Sequence, residues 1–217
     1  MTDFSARRTV MVDTQVRPSD VTKFPIIEAM LTVPRELYVG AGQHEAAYIG
    51  ENLKIAAGRV ILEPRSFAKL LEAVDVQPDE AVLDLGCGFG YSTAVVARLA
   101  EAVVAVEADP AMAQDAQGRL SAQGVDNAAV ISGSLADGAA KHGPYDVILI
   151  QGAVEMVPDA LLAQLKQGGR IGAVFMEGRL GVARVGHMGP QGVTWRYAFN
   201  ASAPVLQGFT KTAAFAL

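Results

Sequence analysis

A doubly wound α/β fold with a mostly parallel sheet is predicted by three features of this 217-residue chain. Short, nearly continuously apolar runs alternate with helical stretches between about residues 80 and 175. A glycine cluster follows the first of those runs. Acidic residues, Asp84 and Glu107, stand at the ends of the first two. Strands covered on both faces read this way, because neither face needs polar positions.

Taken in order, residues 5–16 and 21–31 predict helices, and the stretch from Gly40 to Pro64 reads as irregular. A further helix is expected over Ser66 to Val74, where Phe67, Leu70, Leu71 and Val74 fall at helical spacing. Ala81 to Leu85, Ala102 to Glu107, Ala128 to Ser132, Tyr145 to Ile150 and Arg170 to Phe175 read as strands. Between them, Tyr91 to Ala100 reads as a helix. The next has Asp109 at its N-cap, Pro110 at its first position and Gly124 as its stop. A third starts at Pro158 and carries Leu161, Leu162 and Leu165 up to Gly168-Gly169. Beyond residue 180, Leu180 to Met188 and Val193 to Phe199 flank the turn signal Gly189-Pro190-Gln191-Gly192 and predict an antiparallel pair closing one sheet edge. Residues 201–217 carry no readable pattern. The expected organisation is one domain over 1–217: an N-terminal helical cap and substrate segment over 1–75, and a cofactor-binding core over 76–217.

Composition narrows the class. Apolar residues make up 51% and charged residues 19%, which excludes a disordered chain. A net charge of −5 without a basic block argues against nucleic acid as a partner. The single cysteine, Cys87, cannot form an internal disulfide, and Met1 to Gln15 lacks the apolar core of a signal peptide. No apolar run reaches membrane-spanning length. A soluble cytoplasmic protein with no membrane partner is expected. His44, His142 and His187 are scattered without metal-ligand spacing, so no metal site is expected. Trp195 and Tyr197 alternate on an expected strand and read as packing residues. Nothing in the sequence sets the oligomeric state.

The chemistry concentrates at Asp84-Leu85-Gly86-Cys87-Gly88-Phe89-Gly90. Gly86, Gly88 and Gly90 let a backbone approach a ligand closely, and the helix that follows offers unpaired N–H groups. A dinucleotide site wants G-x-G-x-x-G with a pyrophosphate at the helix start. This chain has G-x-G-x-G, and Asp84 would repel a pyrophosphate while suiting the ammonium of S-adenosylmethionine, directly or through water. Glu107 ends the second strand about 20 residues on, where an acid accepts hydrogen bonds from ribose hydroxyls. Asp84, Gly86, Cys87, Gly88, Gly90, Glu107 and Ala108 are therefore the expected S-adenosylmethionine contacts. Cys87 is read as a small loop residue rather than a nucleophile.

With the loop placed, the chain resembles the protein-L-isoaspartate O-methyltransferase family of class I methyltransferases from about Met11 to Phe175. The likeness rests on Met11-Val12-x-x-Gln15, Val33-Pro34-Arg35-Glu36-x-Tyr38-Val39, Ala47-Tyr48, Leu53-x-Ile55 and Gly58-x-x-Ile61-x-x-Pro64. It continues through the glycine loop with Tyr91, Tyr145-Asp146, and Pro158-x-x-Leu161-Leu162-x-Gln164-Leu165-x-x-Gly168-Gly169. The resemblance implies a Rossmann-like fold and methylation of isoaspartyl carboxylates in damaged protein or peptide. It also implies a substrate segment over Arg59, Val60, Ile61 and Leu62.

That segment departs from the family pattern Gly-Gln-Thr-Ile-Ser-x-Pro. Arg59 replaces the glutamine, Val60 the threonine, and Leu62 the serine that touches the reacting carboxylate, leaving the catalytic residue unknown. The family's Gly-Asp-Gly, which meets the adenine, aligns with Gly133-Ser134-Leu135, so Ser134 and Leu135 are the expected cofactor contacts there. Asp137-Gly138 would supply an aspartate only through a loop shift. Gln151-Gly152-Ala153 replaces Thr-Ala-Ala, and Gly50 an aspartate. Three functions stay open: an isoaspartyl methyltransferase with a variant site, a methyltransferase of the same lineage with another acceptor, and a cofactor-binding protein without transfer activity.

Overall fold

The computed structural model describes residues 3–211. Helix α1 (Phe4–Met11) is capped by Asp3, whose side chain accepts from Ala6 N at 3.0 Å, and continues as a π-helical turn over Val12–Val16. Helix α2 (Phe24–Thr32) starts later than expected, with Pro25 in its first turn. The stretch from Gly40 to Pro64 is not wholly irregular. It contains a hairpin of β1 (Leu53–Ala56) and β2 (Arg59–Ile61), turned at Gly58 with φ +67°. Runs this short carry too little periodicity to be read as strands.

Helix α3 (Pro64–Val74) buries Phe67, Leu70, Leu71 and Val74, the stripe that its sequence spacing predicts. Each such side chain stabilises the fold by roughly 1.5–3 kcal/mol. The alternating core follows: β3 (Ala81–Leu85), α4 (Tyr91–Val96), β4 (Ala102–Glu107), α5 (Pro110–Ala122), β5 (Ala128–Ser132), β6 (Tyr145–Val154), α6 (Asp159–Leu162), β7 (Leu165–Glu177), β8 (Leu180–Gly189) and β9 (Gly192–Asn200). The α5 cap is as expected: Asp109 Oδ1 accepts from Ala111 N at 2.9 Å and Met112 N at 3.1 Å. Gly124 follows the helix at φ +71°.

The sheet order is β5-β4-β3-β6-β7-β8-β9. The first five strands are parallel, and β8 and β9 add the expected antiparallel edge. Strand side chains alternate between two apolar layers. Val82, Val147, Leu149 and Val174 face the layer under α2 to α4, whereas Leu83, Leu85, Ile148, Ile150 and Ile171 face the other. The winding is uneven. The second face is covered by a single-turn α6, by Leu135 and Ala139 from the stretch after β5, and by the segment carrying Leu206 and Phe209. The expected helix through Leu165 ends at Leu162 instead, and Leu165 pairs with Tyr145 in the sheet. Gly168 and Gly169 sit inside β7, where main-chain oxygens of Tyr145, Asp146 and Lys166 crowd the place a Cβ would occupy at Gly169.

Helix α3 packs on β7 because Gly172 leaves room: a Cβ there would lie 2.7 Å from Val74 Cγ1. Arg170 then ties the helix end down, donating to Val74 O at 2.8 Å, to Asp75 O and to Glu80. Among the described residues, no helix is long and apolar enough to cross a membrane.

Candidate active site

The strand order reverses direction at β3, with β4 on one side and β6 on the other. In open α/β sheets ligands bind beyond the carboxyl ends of strands at such a switch point. Those ends here bring together the three glycines, Asp84, Glu107 and Gln151.

Gly86, Gly88 and Gly90 all have positive φ (79°, 60° and 94°), so the loop turns in a way that side-chain-bearing residues resist. Asp84 lies beneath the loop and is fully buried. Its Oδ2 accepts from Ser92 Oγ and Thr93 Oγ1, each at 2.7 Å, and its Oδ1 accepts from Gln151 Nε2 at 2.8 Å. Burial outweighs these three donors and pushes the Asp84 pKa above the usual carboxylate range. In this arrangement Asp84 anchors the first turn of α4 and the end of β6, rather than presenting an open carboxylate to a ligand. Gln151 was invisible as a site residue in the sequence, where it registers only as a departure from the family's threonine. The signal available was its place two residues past the parallel partner of Asp84, Leu149.

Glu107, also fully buried, is the acid at the end of β4 as expected. Its carboxylate is saturated by the protein. Arg59 forms a two-pronged pair with it, Nη1 to Oε1 at 2.5 Å and Nη2 to Oε2 at 2.6 Å. Gly88 N donates to Oε2 at 2.8 Å and Asp109 N to Oε1 at 3.2 Å. Arg59 thus reaches from the expected substrate segment into the expected cofactor site. Cys87 is buried in the loop, and burial with Asp84 and Glu107 nearby pushes its thiol well above the ordinary range, which keeps it protonated.

The loop is roofed by side chains. Ile55 Cδ1 stands 2.6 Å from where a Cβ would be on Gly88, and Leu206 Cδ1 stands 3.4 Å from that point on Gly86. Beside Glu107 lies a cavity of about 480 Å³ lined by Gly58, Arg59, Ala108, Met112, Leu135 and Leu206. Ala108 and Leu135 therefore reach the same space, while Ser134 and Asp137 are exposed. Val60, Ile61 and Leu62 are buried against Phe67 and Tyr91, around a void of only about 10 Å³.

Val33-Pro34-Arg35-Glu36 explains how this segment is held. Arg35 is wholly buried and donates to Ala47 O at 2.7 Å and Leu62 O at 2.8 Å, with its guanidinium 4.6 Å from the Tyr91 ring centre. Glu36 accepts from the Tyr48 hydroxyl and pairs with Arg8 at 3.5 Å. Arg35 thereby joins the Ala47-Tyr48 stretch to the base of the hairpin.

The sequence model of the Protein-L-isoaspartate(D-aspartate) O-methyltransferase family matches residues 7–177. The chain belongs to this family. A protein-L-isoaspartate O-methyltransferase of Koribacter versatilis is 38% identical over 171 residues, covering 79% of this chain and 77% of that one. One from Methylorubrum extorquens is 36% identical over 172 residues, covering 78% and 74%. Among solved structures, a protein-L-isoaspartate O-methyltransferase superposes with a TM-score of 0.80 at 22% identity over 95% of this chain, which spans 66% of that structure's length. A Plasmodium falciparum protein-L-isoaspartate O-methyltransferase, solved in complex with S-adenosyl-L-homocysteine, gives 0.77 at 17% identity over 95% and 99%. Both likenesses establish the Rossmann-like methyltransferase fold. Family membership agrees with the motifs around Arg35 and the glycine loop, and it leaves the departures at Arg59, Val60 and Leu62 as features of this chain.

Proposed function

We propose that this chain is an S-adenosylmethionine-dependent methyltransferase that esterifies the free carboxylate of isoaspartyl residues in protein or peptide. The observation that carries the reading is the family match over residues 7–177 combined with Glu107 and the positive-φ glycines at the ends of adjacent strands. The residues present fit the cofactor. Glu107 has two oxygens for two ribose hydroxyls, and Gly86 and Gly88 carry no side chain toward the nucleoside. Ala108 and Leu135 border a cavity of about 480 Å³ in which an adenine finds apolar walls. Ile55, Arg59 and Leu206 have to shift for the cofactor to lie on the loop.

When bound, the cofactor supplies an electrophilic methyl whose carbon–sulfur bond breaks as the acceptor oxygen bonds to carbon. A carboxylate is a nucleophile at neutral pH, so the protein needs no base. Its work is alignment and removal of water. Val60, Ile61, Leu62 and Tyr91 build the dry wall for that step, and Arg35 fixes the wall through Leu62 O. Loss of the family serine at Leu62 removes one hydrogen bond to a charged acceptor, worth about 1.5–3 kcal/mol, which slows transfer without forbidding it.

The apolar burial of Val60 and Leu62 favours a second reading, in which the same chemistry serves a less polar acceptor. Transfer of labelled methyl from S-adenosylmethionine to an isoaspartyl peptide and its aspartyl twin separates the two. Ester on the isoaspartyl peptide alone is expected, and equal or absent labelling of both peptides rejects the isoaspartyl assignment. Substrate protein and enzyme meet in the cytoplasm on this reading, consistent with a single buried cysteine.

A further inference from the structure

The carboxylate expected to hold the ribose is already holding an arginine. We propose that Arg59 occupies the position of the ribose hydroxyls at Glu107, so that the cofactor binds only by displacing it and the Arg59–Glu107 pair sets cofactor affinity. The proposal rests on the reading of this edge as an S-adenosylmethionine site. Four observations carry it.

Both Glu107 oxygens are engaged by the guanidinium, at 2.5 and 2.6 Å, and each also accepts one main-chain N–H. Little acceptor capacity is left for two hydroxyls. The guanidinium also lies on the glycine loop itself, with Nη2 3.3 Å from where a Cβ on Gly86 would stand. Ligand and arginine therefore compete for space as well as for the carboxylate.

The closed arrangement is not fully satisfied. Arg59 Nε is buried without a hydrogen-bond partner, and an unmet buried donor weakens the pair's hold. Finally, the hairpin that carries Arg59 stands apart from the main sheet. β1 and β2 form a separate two-stranded sheet, outside the seven-stranded one. Isolated two-stranded ribbons are marginal on their own. Its base is fixed: Asn52 Oδ1 accepts from Glu63 N at 2.9 Å, Asn52 Nδ2 donates to Ser202 O at 2.7 Å, and Arg35 holds Leu62 O. The tip, Ala57-Gly58, borders the cavity of about 480 Å³, and Arg59 and Ile55 next to it reach over the glycine loop.

Calorimetric titration of the intact chain with S-adenosylhomocysteine tests this. Arg59→Gln is expected to bind about ten- to a hundredfold more tightly than the parent chain, because a charge-assisted contact no longer has to break. Equal or weaker binding by the variant overturns the displacement proposal while leaving the cofactor assignment intact. Absence of binding by both proteins, each folded by circular dichroism, rejects the cofactor assignment as well. A crystal structure of the parent chain with S-adenosylhomocysteine needs no variant. Arg59 swung away from Glu107 is the expected result. A nucleoside bound while Arg59 still lies within about 3 Å of Glu107 overturns the proposal.

Discussion

The glycine loop and the hairpin above it touch each other, yet they are held by different means. The loop stands on buried parallel strands, and Asp84 beneath it meets three donors within 2.8 Å. The hairpin is two short strands fastened at one end, with its tip resting on an ion pair and one unmet donor. The difference teaches where this chain has room to diverge. The edge that would hold the methyl donor is locked into the sheet, so changing it costs the fold. The cover is a peripheral ribbon, and Arg59, Val60 and Leu62 have changed there without disturbing the strands.

Removing the carboxylate should break the comparison most severely. Glu107→Ala leaves Arg59 partly buried and unpaired, and the expected loss of stability is about 3–5 kcal/mol, read by urea unfolding. The same variant should lose measurable binding of S-adenosylhomocysteine. Retention of parental affinity would sink the placement of the ribose. Leu62→Ser separates the two regions. The side chain is 2% exposed, so truncation should cost about 3 kcal/mol of stability. Transfer to an isoaspartyl peptide should rise nonetheless, by roughly tenfold if the hydroxyl meets the acceptor only in the transition state. A rate that falls along with stability would mean that this position only packs.

The smallest effect should come from Asp84→Asn, about 1 kcal/mol or less at neutral pH, because Ser92, Thr93 and Gln151 can each reverse the sense of their hydrogen bonds. Its use is in pH dependence. Burial raises the Asp84 pKa in the folded state, so the native chain keeps a proton that the unfolded chain has released. Stability should therefore fall as pH rises from about 4, the ordinary carboxylate value, through the raised one. The asparagine variant should lack that slope in a series of unfolding curves. An unchanged slope would assign it to another group.

Much of the frame was legible because its signals are local and periodic. The strands around Leu83, Val104 and Ile148, the Asp109 cap and the α3 stripe follow from spacing alone. Glu107 was legible as a strand-end acid about 20 residues beyond the first glycine. What was not legible is what these residues touch. Nothing in the sequence says that Arg59 reaches Glu107, because the pair is brought together by a hairpin too short to announce itself. The same holds for Asp84, whose three partners come from α4 and β6. The helix expected through Leu165 failed for a related reason: an apolar run before two glycines suits a helix end and a strand start equally, and pairing with Tyr145 decides.

The segment after β9 was silent in the sequence, and residues 212–217 lie outside those described. Its part in the molecule turns on Gly152. A Cβ there would sit 2.6 Å from Leu206 Cγ, so the bare strand end is a seat for that leucine. Leu206 N donates to Ala153 O at 2.8 Å, and Phe209 beyond it is completely buried. The cavity beside Glu107 is thus walled partly by chain that follows the last strand. Anyone shortening this protein to its strands and helices would cut after Asn200 and take the wall away with the tail.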